Sequence, residues 1–224
     1  MADPPVPTWI FHITAIDNLA SIARSGRLLC KNQLTALRID AASIAYENLQ
    51  AKRARRVIPM RPGGSLHDYV PFMFAPRSPM LRAIDEGSVA NCPYRQGDIV
   101  HLVSSVQTIV DRRLPFVFTD HHPIVAYALF FKDLADLSRI DWPLFFESPR
   151  LAGYCQYWHN PPGKPQYAKR RETRQAEFLV HGEVPLAAVV EIGVRTAEGQ
   201  QRVAAALEGT GWSPTLKVVP GWYY

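Results

Sequence analysis

A chain of 224 residues, 47% of them hydrophobic and 20% charged, is long enough to bury one substantial core and too apolar to remain disordered. The net charge of +5 suits a polyanionic partner without requiring one. No stretch approaches the roughly 18 uninterrupted apolar residues of a membrane span, the start Met1-Ala2-Asp3-Pro4-Pro5 is unlike a secretory signal, and Cys30, Cys92 and Cys155 are too few and too scattered for a disulfide framework; a cytoplasmic protein without membrane association is expected.

Trp9 to Ile13 has the composition of a short strand. Asp17 can cap a helix carrying Leu19, Ile22 and Ala23 and stopped by Gly26. A segment free of Pro and Gly, from about Ile39 to Arg56, predicts a longer helix with Ile44, Ala45 and Leu49 on one face. After a loop from Pro59 to Gly64, the run 69–74 predicts a strand that Pro71 demotes to an edge or bulged position. Further strands are expected over 98–106, 116–118, 176–181, 189–194 and 216–219, with a helix over 200–207 ended by Gly209. Short strands without regular strand–helix alternation, and helices mostly in the N-terminal half, predict an α+β fold in a single domain spanning 1–224.

The motifs that mark familiar chemistries are missing. No G-x-G-x-x-G follows a strand, and there is no Walker loop or G-x-S-x-G elbow. His181-Gly182-Glu183 lacks the P-C-x-x-C partner of zinc deaminases, and Cys155, His159 and the pair His121-His122 match no closed zinc spacing, so no metal is expected. What stands out is Glu177, an acid inside the otherwise apolar run Ala176-Glu177-Phe178-Leu179-Val180. Such a strand either exposes one face or uses the charge. Simple alternation would place Glu177, Leu179 and His181 on a partly wet face.

Two basic clusters flank the candidate. One holds Lys52, Arg53, Arg55, Arg56 and Arg61; the other holds Lys164, Lys169, Arg170, Arg171 and Arg174, interleaved with Tyr154, Tyr157, Trp158 and Tyr167. Cations beside flat rings suit a single-stranded nucleic acid, and a solvated basic face beside core aromatics is the bland alternative.

Several segments together resemble the DarT family of DNA ADP-ribosyltransferase toxins from DarT/DarG toxin–antitoxin systems. They are Phe11-His12-Ile13-Thr14 with Asp17-Asn18-Leu19, Ile44-Ala45-Tyr46 through Gln50 to Lys52-Arg53, and Leu66 to Leu81. Phe118-Thr119-Asp120-His121-His122, Tyr157-Trp158, and Arg171 with Arg174 to Val180 complete the set. The resemblance implies an ADP-ribosyltransferase fold with two small, mainly antiparallel sheets flanking an NAD cleft, and NAD consumed as substrate. It implies Glu177, Arg53 and His122 as catalytic residues, and His12, Ile13, Thr14, Asn18, Arg53 and Tyr69 as the NAD site. Arg171, Arg174, Lys169, Arg170, Tyr157 and Trp158 would face DNA.

The implied activity is transfer of ADP-ribose to a base in single-stranded DNA, thymine above guanine. RNA or protein acceptors, and a non-catalytic nucleic-acid-binding module, are the alternatives, and a macrodomain antitoxin of the DarG type is the implied partner. His121 departs from the family, which often has a small residue there; the resemblance assigns the functional histidine to His122, and the larger side chain at 121 would change how a base is admitted.

Overall fold

The computed structural model describes residues 3–224, so Met1 and Ala2 of the N-terminal reading lie outside it. In chain order the elements are β1 (Trp9–Ala15), α1 (Leu19–Ser25), β2 (Arg27–Leu29), α2 (Lys31–Ala36), α3 (Glu47–Arg55), β3 (Tyr69–Met73), α4 (Pro79–Asp85), β4 (Ile99–Ser105), α5 (Val106–Asp111) and β5 (Phe116–Thr119). They continue with β6 (Phe130–Phe131), α6 (Pro143–Phe146), β7 (Arg150–Leu151), β8 (Tyr154–Cys155), α7 (Arg170–Thr173), β9 (Glu177–His181), β10 (Glu183–Pro185), β11 (Glu191–Val194), α8 (Ala197–Leu207) and β12 (Thr215–Val218). The fold is α+β, as expected, although the longest helix, α8, lies near the C-terminal end.

Eight strands form one hydrogen-bonded sheet in the order β12-β11-β4-β1-β3-β9-β5-β6. The two expected sheets correspond to its halves. β1 pairs with β4 over seven register positions, from Trp9↔Ser105 to Ala15↔Ile99, and β3 pairs with β9 over five, from Tyr69↔His181 to Met73↔Glu177. The halves meet through one pair alone, Phe11↔Met73, so β1 and β3 splay apart beyond it. Pro71 explains the splay. It has no N–H to give β1 and belongs at a sheet edge. The expected edge strand is therefore interior in sheet order, with edge character toward β1 alone.

Helix boundaries follow local capping. Ser78 and Thr196 accept from backbone N–H groups in the first turns of α4 and α8, and Pro79 opens α4. Gly26, at φ +71°, closes α1. Asp17 does not cap α1, whose preceding residue is Asn18; its carboxylate accepts from the Tyr94 hydroxyl at 3.0 Å. The longer helix expected from Ile39 begins only at Glu47, and residues 39–46 form an irregular strap.

One core, including Ile10, Phe11, Phe72, Leu102, Trp142 and Phe178, covers both faces of β1 and β4 and one face of β3, β9 and β5. A smaller cluster of Ile58, Leu66, Tyr69, Val117, Phe130 and Leu179 covers the other side of β3, β9 and β5. Both faces of β9 are consequently buried: Leu179 is wholly inside, and alternation does not expose it. Gly193 on β11 lets the Trp222 ring lie against the backbone, since a Cβ there would fall 2.2 Å from the indole.

Candidate active site

The splay between β1 and β3 opens a cleft with two chambers. One, about 210 Å³, is lined by Thr14, Asn18, Ile22, Lys31, His67 and Tyr69; the other, also about 210 Å³, by Tyr46, Met73, Met80, His122, Arg171 and Glu177. His12, Ile13, Gln50, Arg53 and Pro71 line both and form the wall between them.

Glu177 is the first residue of β9, opposite Met73 at the only point where the two halves of the sheet join. It is 4% exposed, and its carboxylate receives both arms of the Arg53 guanidinium, at 2.7 and 2.9 Å. A bidentate pair of this kind offsets part of the large desolvation cost of burying two charges and fixes both side chains. The Glu177 N–H donates to Thr119 Oγ1 at 3.1 Å, tying the acid to β5. Arg53 projects from the last turn of α3, and Gln50 stands three residues earlier on the same face.

Two histidines present opposite chemistry to the cleft. His12 Nδ1 lies 2.8 Å from the Pro71 carbonyl oxygen, which only accepts, so Nδ1 carries the proton and Nε2 keeps its lone pair. In His122, Nδ1 accepts from the Ile124 N–H at 3.3 Å, so the neutral ring carries its proton on Nε2 and acts as a donor. Burial lowers the pKa of both, opposed by the carboxylate of Glu177, and for His12 first by its bond to the Pro71 carbonyl. His122 therefore offers an N–H to the cleft.

The remaining NAD-site expectations divide. Thr14 and Ile13 line their chamber. Asn18 lines it too, but its amide is spent on Thr14 Oγ1 at 3.0 Å and on both backbone groups of Ala42, at 3.0 and 2.8 Å, so it anchors the 39–46 strap. Tyr69 borders the same chamber with its ring buried. Its hydroxyl donates to the Gly63 carbonyl at 2.7 Å, and burial pushes its pKa up to about 12.

The expected DNA-facing residues also divide. Lys169, Arg171 and Tyr157 are exposed and Trp158 is half-buried. Arg174 and Arg170 require correction. Arg174 is 1% exposed and donates to the carbonyls of Leu144 and Cys155 at 3.2 and 3.1 Å; burial lowers its pKa to about 10. Arg170 is buried, pairs with Glu147 and stacks 3.5 Å from the Tyr167 ring. Both cations are engaged and buried inside the protein and are not presented to a phosphate at the surface. Among residues given no site role in advance, Gln50 and His67 belong to the cleft and are joined at 3.0 Å. The i,i+3 spacing of Gln50 and Arg53 was the signal for Gln50.

Among the described residues no group of three or more potential ligands could hold a metal, and no helix is long and apolar enough to cross a membrane.

Comparison with known proteins places this geometry. Residues 11–224 match the family model for DarT, the ssDNA thymidine ADP-ribosyltransferase. A DNA ADP-ribosyl transferase of Thermus sp. (strain 2.9) is 42% identical over 224 residues, covering 98% of each chain. Thermus sp. 2.9 DarT in complex with ADP-ribosylated ssDNA superposes with a TM-score of 0.86 at 40% identity, over 100% of this chain and 99% of that one. The same protein in complex with NAD+ gives 0.82 at 38% identity, over 99% and 100%. With a match over nearly its whole length and the expected fold around a two-chambered cleft, the chain belongs to the DarT family.

Proposed function

We propose that this protein is a toxin that transfers ADP-ribose from NAD to a thymine base in single-stranded DNA, with NAD in the Thr14–Asn18 chamber and the base in the Met73–His122 chamber. The observation that supports this most is Arg53 in the wall between the two chambers, holding Glu177, which lines the acceptor chamber, by a two-armed ion pair.

The bond between the nicotinamide nitrogen and the ribose C1′ breaks, nicotinamide leaves with the electron pair, and C1′ develops oxocarbenium character. A buried carboxylate that grips a ribose hydroxyl stabilises that positive charge, and Glu177 is that group. A thymine ring nitrogen must lose its proton to attack C1′. The resulting anion is matched by the Arg53 guanidinium and by the Nε2–H of His122, both facing the acceptor chamber. Glu177 is the remaining acceptor for the thymine proton, while the lone pair on His12 Nε2 serves the NAD side. The Arg53–Glu177 pair thus has to loosen as substrates enter, one arm turning to the base and one carboxylate oxygen to the ribose.

Exposed Arg171, which lines the acceptor chamber, and the exposed Lys169 and Tyr157 elsewhere in the same basic and aromatic segment favour nucleic acid over protein as acceptor. A macrodomain partner of the DarG type, neutralising the toxin, and action in the cytoplasm belong to the same proposal and rest on family membership. The test is to incubate the protein with NAD and matched single-stranded DNA, RNA and protein acceptors and follow acceptor mass together with nicotinamide release. Adduct on thymidine-containing DNA is expected; adduct confined to RNA or protein, or DNA binding without nicotinamide release, would overturn the proposal.

A further inference from the structure

The two donors that face the acceptor chamber come from separate parts of the chain. Arg53 stands on α3, and His122 on the turn that follows β5. That turn closes on itself: the Val125 N–H donates to the His122 carbonyl at 3.1 Å and the Ile124 N–H to the His122 ring. On one side it hangs from α7, where the His122 N–H donates to the Glu172 carbonyl at 2.8 Å. His121 turns away, 2.9 Å from an Asp120 carboxylate oxygen, so the larger side chain at 121 does not narrow the acceptor chamber.

We propose that Arg56 is a positioning residue that holds the His122 turn against α3, so that the imidazole N–H and the Arg53 guanidinium reach the same base; the inference rests on the DNA-transfer reading above. Arg56 closes α3, three residues after Arg53. Its Nε donates to the Pro123 carbonyl at 3.0 Å, and Nη2 donates to the Val125 carbonyl at 3.5 Å. The guanidinium also lies 5.3 Å from the Phe130 ring centroid. The Arg56 carbonyl accepts from the Leu66 N–H at 3.1 Å, so the main chain is fixed as well. A member of the first basic cluster is thus engaged by the protein itself.

The Arg53–Glu177 pair cannot be the brace, because it loosens as substrates enter. The other side-chain tie of α3, Gln50 to His67 at 3.0 Å, leads to the turn before β3 and away from His122. Among the hydrogen bonds and ion pairs of the described residues, those of Arg56 alone join α3 to the segment 120–131. A planar guanidinium donating to two carbonyls fixes distance and angle together, which the single point charge of a lysine does not. Arg56 lines neither chamber, so it acts without touching substrate. Misplacing a catalytic group by about 1 Å costs on the order of a hundredfold in rate, which makes a brace outside the chamber matter for turnover.

The experiment measures kcat and the KM values for NAD and for a thymidine-containing single strand. Wild type is compared with Arg56→Ala, Arg56→Lys, His122→Ala and the double variant Arg56→Ala/His122→Ala. Thermal unfolding confirms that each folds; Arg56→Lys, which keeps the charge and the stem, carries the same cycle if Arg56→Ala does not fold. We expect Arg56→Ala to lower kcat roughly 10 to 100-fold with both KM values within about twofold of wild type, and Arg56→Lys to recover part of the loss. The double variant should be about as slow as His122→Ala alone, because a residue that acts through His122 has nothing to align once the imidazole is gone. Wild-type kcat in Arg56→Ala, a defect confined to KM for DNA, or losses that multiply in the double variant would overturn the positioning role while leaving thymine transfer intact. No transfer by wild type to any single strand would overturn both.

Discussion

Arg53 and Arg174 are both buried cations drawn from basic clusters, and their surroundings give them different work. Arg53 meets a carboxylate at the wall between two open chambers, so its partner can be exchanged for substrate. Arg174 meets backbone carbonyls of α6 and β8 in a closed interior and has the Phe145 ring 5.2 Å from its guanidinium. The same contrast separates His12 and His122, which face the cleft, from His101, which is wholly enclosed between the Tyr223 hydroxyl at 3.1 Å and the Pro76 carbonyl at 3.0 Å. A buried polar group satisfied by backbone holds the fold; one whose partner borders a cavity is available for chemistry.

The largest expected effect is at the junction. Glu177→Gln should lower transfer at least about a thousandfold, comparable to losing a principal electrostatic stabiliser, while the protein still folds and binds DNA. Acceptor mass and fluorescence anisotropy separate the two. Arg174→Met should instead cost about 3 kcal/mol of stability by stranding two buried carbonyls, seen as a lower unfolding midpoint, with transfer per folded molecule within about tenfold of wild type. An equal collapse of activity in both variants would erase the distinction between the two arginines.

His101 extends the comparison to pH. Burial lowers its pKa to about 4, so the fold keeps it neutral while the unfolded chain takes up a proton below about 6.5. Its contribution to stability is present above pH 6.5 and is lost as pH falls toward 4, amounting to roughly 3 kcal/mol. The buried His12 and His122, both lowered, act in the same direction. Denaturant unfolding from pH 7 to 4.5 should show this slope, and His101→Gln should flatten it.

Smaller effects sharpen the site. Arg53→Lys keeps the charge and loses the two-armed geometry, and should reduce kcat by about 10 to 100-fold with DNA affinity nearly unchanged. Weaker DNA binding as the sole defect would make Arg53 a phosphate contact. Arg171→Ala should weaken DNA binding several-fold and reduce the salt slope by about one, measured by titration at several salt concentrations.

Glu177 was legible because an acid within an apolar strand violates the pattern of its neighbours, and the strand over 98–106 because Ile99, Val100, Leu102 and Val103 crowd it with strand-favouring residues. Arg174 was misread because local sequence shows a basic run but not that α6 and β8 aim their carbonyls at one of its members. Pro71 marked an irregular strand correctly, yet the splay it creates depends on β1 as partner, a long-range pairing that no local period encodes. The 39–46 strap looked helical by composition; Asn18 holds it extended from 24 residues away through the Ala42 backbone.

The most direct test of the central claim is the mass of a thymidine-containing single-stranded oligonucleotide after incubation with NAD and either wild type or Glu177→Gln. The account predicts one added ADP-ribose with wild type and none with the variant over the same time. An adduct formed at comparable rate by the variant would contradict the placing of chemistry at the junction of the two chambers.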